Sequence, residues 1–195
     1  EVINFMKKHD LGTDVHELFR YFIVRMNEIV KKHGKKMFIW EGFRREGKIE
    51  IPRDITVFEF ETMYHLPGDL IEDGFSVVNT SWTPLYLVNG GVKQPRARRA
   101  MWSPEKIYSW NIWRWEHWWE KTPAYHKPIQ LEKTDQIIGG QMCSWEQAGS
   151  AEIPTLRKRL PVFVERVWNN ESRLPFKDFF LKVEANDVKL SKIIN

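Results

Sequence analysis

Cysteine and long apolar runs are the two features that this sequence lacks. Cys143 is the only cysteine, which excludes a disulfide framework and a cysteine-based metal cluster, and we interpret it as a buried, unreactive thiol. No stretch approaches the roughly 18 apolar residues of a membrane span. The six histidines show no metal-ligand spacing. We therefore predict no metal, no cofactor and no membrane-spanning segment.

The sequence also has little excess of positive over negative charge, since its net charge is only +4. This balance does not by itself indicate a nucleic-acid partner. The densest basic cluster runs over 93–99 and contains Lys93, Arg96, Arg98 and Arg99. We interpret the cluster as a solvated loop, with a phosphate-binding patch as the less favoured alternative.

Tryptophan, by contrast, is abundant, with ten in 195 residues. Trp40, Trp82 and Trp145 each end a short apolar run that has the length of a buried strand. Parallel strands of an α/β barrel carry their functional site at their C-terminal ends, where three indoles would form the wall of a pocket. Aromatic walls of this kind pack against the C–H face of a sugar ring. The sequence therefore predicts an aromatic, sugar-sized pocket.

The order of the apolar segments predicts an α/β fold with a parallel sheet. Predicted helices cover 1–9, 15–33 and 154–168. For the second of them we expect Asp14 as the N-cap and Gly34 as the stop, and its apolar residues recur at three- and four-residue steps, which predicts one apolar face. Predicted strands cover 37–40, 56–60, 75–81 and 137–143. The expected inward face of the last helix consists of Leu156, Leu160, Phe163, Val164 and Val167. A complete eight-stranded barrel usually needs about 250 residues, so this chain is short for one.

Six of the tryptophans fall in the irregular segment 83–136. We predict that this segment is an insertion over the barrel mouth with its own small core of indoles. In the alternative interpretation, one or two of these indoles line extended sugar subsites. The spacing of Trp115, Trp118 and Trp119 predicts one face of a helix.

Five segments resemble, in order and approximate spacing, the second half of the catalytic barrel of the family 20 glycoside hydrolases, the β-N-acetylhexosaminidases. The segments are 5–14, 34–41, 81–86, 139–146 and 164–168. The last of them resembles the Glu-Arg-Leu-Trp helix of the family. The resemblance implies that residues 1–195 form the C-terminal part, roughly strands five to eight, of a (β/α)8 TIM barrel.

The resemblance also implies a substrate-assisted retaining mechanism, which differs from the usual two-carboxylate scheme of glycosidases. The 2-acetamido oxygen of the substrate attacks the anomeric carbon and gives an oxazolinium intermediate. A glutamic acid protonates the leaving oxygen, the preceding aspartate orients the acetamido N–H, and a tyrosine hydroxyl binds the acetamido oxygen. The expected activity is release of terminal N-acetylglucosamine or N-acetylgalactosamine from a glycan or glycoconjugate.

Tyr86 is the candidate for that tyrosine, because Leu85-Tyr86-Leu87 resembles the Tyr-Leu-Asp sequence of the family. In the rival register Trp82 directly precedes the tyrosine position, which then falls on Thr83. We prefer an insertion, since only a phenol can do this work. The expected substrate-binding residues are Trp40, Glu41, Phe60, Trp82, Trp145, and Glu146 or Gln147.

Three departures from the family pattern matter. Val88 stands where the family has an aspartate after Tyr-Leu, and Phe60 replaces a frequent tryptophan. The Asp-Glu catalytic pair is absent, because the match over 5–14 puts Glu1 downstream of it. We therefore expect the isolated chain to be inactive and either to aggregate or to pair with the missing N-terminal half of the barrel.

Two other interpretations remain open at this point. The chain could be a non-catalytic protein that holds a sugar on an aromatic surface, which predicts binding that tolerates a plain hexose. A weaker possibility is nucleic-acid binding through the basic cluster, which predicts a steep dependence on salt. The sequence leaves the compartment open, although the family suggests a secreted, periplasmic or lysosome-like location.

Overall fold

The computed structural model describes residues 1–88, 102–171 and 174–193. The basic cluster over 93–99 therefore lies outside the described residues. The chain divides into two compact units. Unit 1 contains Glu1–Val78 and Thr134–Ile138, and unit 2 contains Asn79–Lys133 and Gly139–Asn195. Across the described ranges, no helix is both long and apolar enough to cross a membrane.

Helices and strands alternate along much of the chain, in agreement with the predicted α/β class. The helices are α1 (Val2–Lys8), α2 (Val15–Lys32), α3 (Pro67–Glu72), α4 (Trp82–Leu85), α5 (Pro104–Ser109), α6 (Pro123–His126), α7 (Gly149–Arg157), α8 (Leu160–Trp168) and α9 (Phe176–Leu190). The strands are β1 (Phe38–Trp40), β2 (Thr56–Glu59), β3 (Ser76–Asn79), β4 (Tyr86–Val88), β5 (Arg114–Trp115), β6 (Ile129–Gln130), β7 (Ile137–Gly140) and β8 (Cys143–Trp145).

The main sheet has the strand order β1-β2-β3-β7. Strands β1 and β2 are parallel, with Phe38 opposite Thr56 and Trp40 opposite Phe58. Val57 and Val77 are completely buried, as expected for strands with both faces covered. The prediction of one strand over 137–143 is wrong at its end, because the chain leaves the main sheet after Gly140 and begins β8 at Cys143.

Helix α2 confirms the predicted boundaries. The Asp14 carboxylate caps its first turn by accepting the backbone N–H of His16 at 2.9 Å. Gly34 follows its last turn with φ of +64°, a left-handed conformation that glycine adopts without strain. Both signals are local in the sequence, which explains why the sequence alone predicted them.

The buried side of α2 is less apolar than the pattern suggested. Its buried residues include Glu17 and Arg20, whereas Phe19 and Phe22 are 41% and 54% exposed. Glu17 accepts the backbone N–H groups of Lys48 and Ile49, at 2.8 and 3.0 Å. These hydrogen bonds turn the polar side of the helix toward the loop after β1 and leave much of the apolar stripe exposed.

Unit 2 contains two small sheets. Strands β4 and β8 are parallel, and β5 and β6 are antiparallel. Trp110 and Trp115 are 1% and 0% exposed, so the 83–136 segment contains buried indoles. The predicted helical face of Trp115, Trp118 and Trp119 is wrong, because Trp115 lies in β5 opposite Ile129 and no helix continues from it. The place of this segment over a barrel mouth stays a prediction.

The prediction of a single helix over 154–168 is also wrong, since α7 ends at Arg157 and α8 begins at Leu160. Pro161 lies in the first turn of α8, where its missing N–H costs nothing but where it cannot continue the helix before it. The buried side of α8 consists of Val162, Phe163 and Arg166. Leu160 and Val164, which the pattern placed inward, are exposed.

Candidate functional site

In unit 1, two aromatic side chains meet at the C-terminal ends of the parallel strands β1 and β2. Trp40 is the last residue of β1, and Phe60 directly follows β2. Their rings contact edge to face, with centroids 5.4 Å apart and an angle of 86°. Trp40 is 39% exposed, so its indole remains accessible to a ligand. The structure thus brings these two predicted wall residues together.

Glu41, the third predicted residue of this unit, is only 4% exposed. Its carboxylate oxygen Oε1 accepts the backbone N–H groups of Tyr64 and His65, at 2.8 and 3.0 Å. The neighbouring Glu59 is completely buried, and its Oε1 accepts the N–H of Thr62 at 2.7 Å. Two carboxyl groups at adjacent strand ends therefore hold the loop that follows Phe60.

Burial changes the protonation of both carboxyl groups. Desolvation raises the pKa of Glu41 to about 7, although the two backbone N–H groups oppose this rise. Burial also raises the pKa of Glu59 well above its usual range, and the nearby charge of Glu41 raises it further. These two groups can therefore carry protons at neutral pH. The sequence pattern gave no sign of this role for Glu59.

The far end of the same loop is fixed by a charged network. Nε2 of His65 lies 3.0 Å from a carboxylate oxygen of Asp73. Arg45 donates to Asp69 at 2.6 Å and to Asp73 at 2.9 Å. Burial lowers the pKa of His65, while the neighbouring Asp73 acts in the opposite direction. The loop is therefore held at both ends.

In unit 2, the predicted catalytic tyrosine lies in an aromatic stack. The Tyr86 ring stacks on Trp82 with a centroid separation of 4.3 Å and an angle of 25°. Tyr86 is 5% exposed and lies opposite Cys143 in the parallel pair of β4 and β8. Burial raises the pKa of the Cys143 thiol, and a hydrogen bond with Tyr86 partly opposes this rise. Cys143 is buried, as predicted.

Trp145, at the end of β8, lies opposite Val88 and is 52% exposed. Glu146 follows it with φ of +56°, a conformation that non-glycine residues adopt at a cost of about 1–3 kcal/mol and that clusters at functional sites. The Glu146 side chain is exposed. The neighbouring Gln147 donates from Nε2 to Oγ of Ser144 at 2.6 Å. Of these two polar candidates, Glu146 is the more accessible.

Polar groups at the end of β3 hold the segment that leads into Trp82, the first residue of α4. The Asn79 side chain donates to the carbonyls of Ile112 and Arg114, both at 3.0 Å, and accepts the N–H of Ser81 at 2.9 Å. Asn79 is completely buried. A buried amide that satisfies three backbone groups is a rigid support, and its partners are too distant in sequence for a local pattern to find.

Two further aromatic residues join this stack. Trp118 contacts Trp82 edge to face at 5.5 Å, and the ring of His117 lies 5.9 Å from Trp82. Nδ1 of His117 accepts the backbone N–H of Trp119 at 2.9 Å, and burial lowers the pKa of His117 to about 4. His117 is therefore neutral at physiological pH, with its proton on Nε2.

Trp40 and Phe60 thus lie at the C-terminal ends of β1 and β2 in unit 1, and Trp145 and Glu146 lie at the end of β8 in unit 2, whereas Tyr86 is the first residue of β4. This arrangement defines a class of α/β proteins that carry their site at the strand ends, as barrel enzymes do. Comparison with known proteins then identifies the family. The family model described as glycosyl hydrolase family 20, catalytic domain, matches residues 1–171, and the chain belongs to this family.

Two curated relatives are hexosaminidase subunits. The chain is 21% identical over 169 residues to the beta-hexosaminidase subunit beta of Rattus norvegicus, covering 85% of this chain and 27% of the relative. It is 25% identical over 170 residues to the beta-hexosaminidase subunit alpha of Bos taurus, covering 86% of this chain and 28% of the relative. The chain therefore spans little more than a quarter of these relatives.

The fold is also similar to that of a solved enzyme. The crystal structure of a beta-N-acetylhexosaminidase from Bacteroides fragilis superposes with a TM-score of 0.72 at 18% identity. The match covers 97% of this chain and 37% of that protein. The family 20 enzymes have TIM-barrel catalytic domains, so the barrel class is supported. The assignment to strands five to eight stays a prediction.

Proposed function

We propose that this chain is part of a β-N-acetylhexosaminidase that hydrolyses terminal β-linked N-acetylglucosamine or N-acetylgalactosamine. The observation that carries the proposal is the stack of Trp82 on Tyr86, with Trp145 exposed on the neighbouring parallel strand. Membership of family 20 supports it, because the residues of this stack fall within the matched range. No cofactor is needed for this reaction.

Tyr86 would position the internal nucleophile of the substrate. The acetamido oxygen forms a bond to the anomeric carbon while the bond to the leaving oxygen breaks and an acid protonates that oxygen. Water then attacks the anomeric carbon, the bond to the acetamido oxygen breaks, and the configuration is retained. A hydrogen bond from the Tyr86 hydroxyl to the acetamido oxygen would hold the attacking group in its reactive pose. The indole of Trp82 would exclude competing water.

The remaining candidates divide into walls and polar contacts. Trp40 and Phe60 would form an aromatic wall in unit 1, and Trp145 would form one in unit 2, each of a kind that packs against the C–H face of a sugar ring. Glu146 is exposed and suits a hydrogen bond to a sugar hydroxyl, with Gln147 as the alternative. Glu41 already accepts two backbone N–H groups, so it would contribute to sugar binding mainly by holding the loop that follows Phe60.

The general acid of this mechanism would come from outside the chain. We propose that the missing N-terminal half of the barrel supplies the Asp-Glu pair and that the isolated chain is inactive. Exposed apolar side chains on α2, including Phe19 and Phe22, support a partner on this side of unit 1. Strand β1 also lies at the edge of the main sheet, which is where a further strand would pair.

A second candidate function is non-catalytic sugar binding. The observation that favours it is the engagement of Glu41 and Glu59 with loop backbone, because these hydrogen bonds direct the two carboxyl groups to the protein rather than to a ligand. This alternative predicts binding without turnover. It also predicts no preference for a 2-acetamido group over a plain hexose.

The test is hydrolysis of an aryl N-acetyl-β-glucosaminide by the chain alone and by the longer protein that contains it. We expect turnover only in the longer protein. There, Tyr86→Phe should lower kcat by about 100-fold or more, as loss of one donor to a reacting oxygen does. Tyr125→Phe, a change at an exposed tyrosine in α6, is the matched control and should have no effect. Turnover by the chain alone would contradict the proposal that the Asp-Glu pair comes from outside the chain. Binding without turnover in the longer protein would favour the second candidate function.

A further inference from the structure

The fold places two acids, Glu41 and Glu59, side by side at the ends of neighbouring strands. Trp40 pairs with Phe58 in the parallel register of β1 and β2. The N–H of Glu41 donates to the carbonyl of Phe58 at 2.8 Å, which continues the register and brings Glu41 opposite Glu59. Neighbouring strands lie only about 4.7–4.9 Å apart. Both acids are also shielded from water, with 4% and 0% of their surface exposed.

The first of these acids, Glu59, closes a turn around Phe60. Its Oε1 accepts the N–H of Thr62 at 2.7 Å, so the hydrogen bond spans Phe60 and Glu61. Thr62 has φ of +52°, a left-handed conformation that is an outlier for a β-branched residue. Such a conformation persists only where the surrounding contacts impose it. The position of Phe60 against Trp40 therefore depends on the hydrogen bond that Glu59 accepts.

The second acid, Glu41, holds the later part of the same loop. Its Oε1 accepts the backbone N–H groups of Tyr64 and His65, at 2.8 and 3.0 Å. The His65 ring is also fixed from elsewhere, since its Nε2 lies 3.0 Å from a carboxylate oxygen of Asp73. The chain beyond His65 is therefore anchored independently of the two acids. Residues 60–64 are the part of the loop whose conformation depends on them.

The charged groups around the pair do not neutralise it. Glu61, in the turn, adds a further negative charge, which raises the pKa of both Glu41 and Glu59. Burial lowers the pKa of His65, so its ring is neutral at neutral pH. Arg45, the cation at the far end of the loop, is already bound to three carboxylates, those of Asp69, Glu72 and Asp73.

Two neighbouring buried acids can hold one charge more easily than two. A single ionised carboxyl group is tolerated, because a charged oxygen accepts backbone N–H groups more strongly than a neutral one. A second charge has no water to solvate it and is repelled by the first. The acids therefore titrate as a coupled pair, and burial raises the pKa of Glu41 to about 7. Above this pH, opening the turn would let water reach both charges.

We propose that Glu41 and Glu59 are positioning residues for sugar binding at the aromatic wall, and that the turn over 60–64 opens when both carboxyl groups are charged. While the pair retains a proton, Phe60 stays against Trp40 and the wall is complete. When the last proton leaves, Phe60 moves away from the indole and the affinity for a sugar falls. This role rests on the proposed function in one respect, namely that the wall contacts a sugar, whereas the opening of the turn does not.

The opening is measured first without a ligand, in the longest protein that contains these residues. Trp40 is the only tryptophan of unit 1, so its resonance in protein labelled with 5-fluorotryptophan, identified with Trp40→Phe, reports on this wall. We expect the resonance to move between pH 5 and pH 9 and to be broadened more by a neutral paramagnetic agent at pH 9, because Phe60 then no longer covers the indole. The double variant Glu41→Gln, Glu59→Gln keeps acceptor oxygens but cannot ionise, and its Trp40 resonance should keep its acidic position at both pH values.

The effect on binding is then measured with N-acetylglucosamine, through the shift of the Trp40 resonance. The dissociation constant of the original protein should rise by about tenfold or more from pH 5 to pH 9, since only the closed fraction binds. The double glutamine variant should lose most of this dependence and bind more tightly than the original protein at pH 9. Glu59→Ala, which removes the acceptor itself, should bind weakly at both pH values. A purely structural role predicts no gain of affinity in any variant.

Glu28→Gln, on the exposed face of α2, is the matched control and should keep the original pH profile. If the double variant does not fold, Glu41→Gln alone replaces it and should show a smaller fall in affinity than the original protein. Far-UV circular dichroism checks that the original protein stays folded at pH 9, because global unfolding there would contradict a local opening.

Three results would overturn the proposal. They are a Trp40 resonance that does not respond to pH, a full pH dependence of binding in the glutamine variant, and no shift of Trp40 with the sugar at pH 5. Hydrolysis of the aryl substrate is measured separately. Binding at Trp40 with the expected pH dependence but without turnover would contradict the hydrolase proposal and support this one.

Discussion

Glu59 in unit 1 and Arg166 in unit 2 are both completely buried, but their surroundings differ. Arg166 donates to the carbonyls of Trp110, Asn169 and Asn170, which spreads its charge over three backbone groups. Glu59 accepts the N–H of Thr62 and lies close enough to Glu41 for the two charges to repel. Unit 2 therefore buries a charge that stiffens the fold at every pH. Unit 1 buries a pair of carboxyl groups, and their contribution to the stability of the fold depends on whether they are protonated.

The largest expected effect tests the buried arginine. Arg166→Met keeps the length of the side chain but removes all its donors, leaving three carbonyls without this partner. We expect the free energy of unfolding to fall by about 3 kcal/mol or more, because each buried carbonyl left without a partner costs about 1–3 kcal/mol. Urea denaturation of the protein measures the change.

Arg159→Met is the matched control for this prediction. Arg159 donates to the carbonyls of Trp102 and Thr155, both at 2.8 Å, but it is only half-buried. We expect a clearly smaller loss of stability, because water can replace the lost bonds. An equal loss in both variants would break the distinction between a fully buried arginine and a partly exposed one.

The next effect tests the carboxyl pair of unit 1 through its pH dependence. Burial raises the pKa of Glu41 to about 7 in the folded protein, above its ordinary value. The stability that this group contributes is therefore complete at acidic pH and is lost as the pH rises through 7. Glu41→Gln keeps an oxygen that can accept from Tyr64 and His65 but cannot ionise. We expect it to be more stable than the original protein at pH 8, by up to about 3 kcal/mol.

The measurement is the urea midpoint from pH 5 to pH 9. In the original protein it should fall across neutral pH, and in Glu41→Gln the fall should be reduced but not abolished, because burial and repulsion also raise the pKa of Glu59. Glu28→Gln, a change on the exposed face of α2, serves as the control and should keep the original profile. Identical pH profiles for all three proteins would show that Glu41 does not titrate in this range.

A prediction with a smaller expected effect tests whether unit 1 also contains a buried arginine that stabilises the fold through backbone carbonyls, as Arg166 does in unit 2. Arg20 is 5% exposed and donates to the carbonyls of Ile49 at 2.6 Å and Arg44 at 2.7 Å. A Cβ at Gly47 would lie 2.3 Å from Nε of Arg20. Gly47→Ala should therefore displace Arg20 and lower stability by about 1–3 kcal/mol, the usual cost of overpacking.

Gly149→Ala is the control for the Gly47 variant, because a Cβ there meets no atom within 4 Å. Gly149 begins α7, where alanine is favoured over glycine, and we expect no loss of stability. Thermal unfolding measures both variants. If Gly47→Ala is as stable as Gly149→Ala, Arg20 can move freely and the similarity to Arg166 fails.

The sequence predicted features whose signals are local. The Asp14 cap and Gly34 defined the ends of α2, and the family motifs identified strand-end residues such as Trp40 and Trp145. It failed where the deciding partner is distant in the chain. Glu17 is buried because its carboxylate binds N–H groups 31 and 32 residues away. A pattern of apolar spacing contains no information about such partners.

The candidate site shows the same division. Tyr86 and Trp82 were predicted as candidates, and they lie in one stack. The supports behind them were missed, because Asn79 binds carbonyls 33 and 35 residues further along the chain. The role of Glu59 was missed for a different reason. Its altered protonation follows from complete burial beside a second carboxyl group, which only the folded chain creates.

The smallest expected effect on stability concerns Trp145, whose indole is 52% exposed. If the end of β8 serves ligand binding rather than the core, Trp145→Ala should change the free energy of unfolding by less than about 1 kcal/mol. Trp115→Ala, at a completely buried indole of the same unit, should lower it by about 3–5 kcal/mol. Urea denaturation compares the two variants, and titration with N-acetylglucosamine in the longer protein measures binding. A large loss of stability in Trp145→Ala would assign this indole to the core, because an accessible ring that stabilises the fold so strongly must be covered in solution.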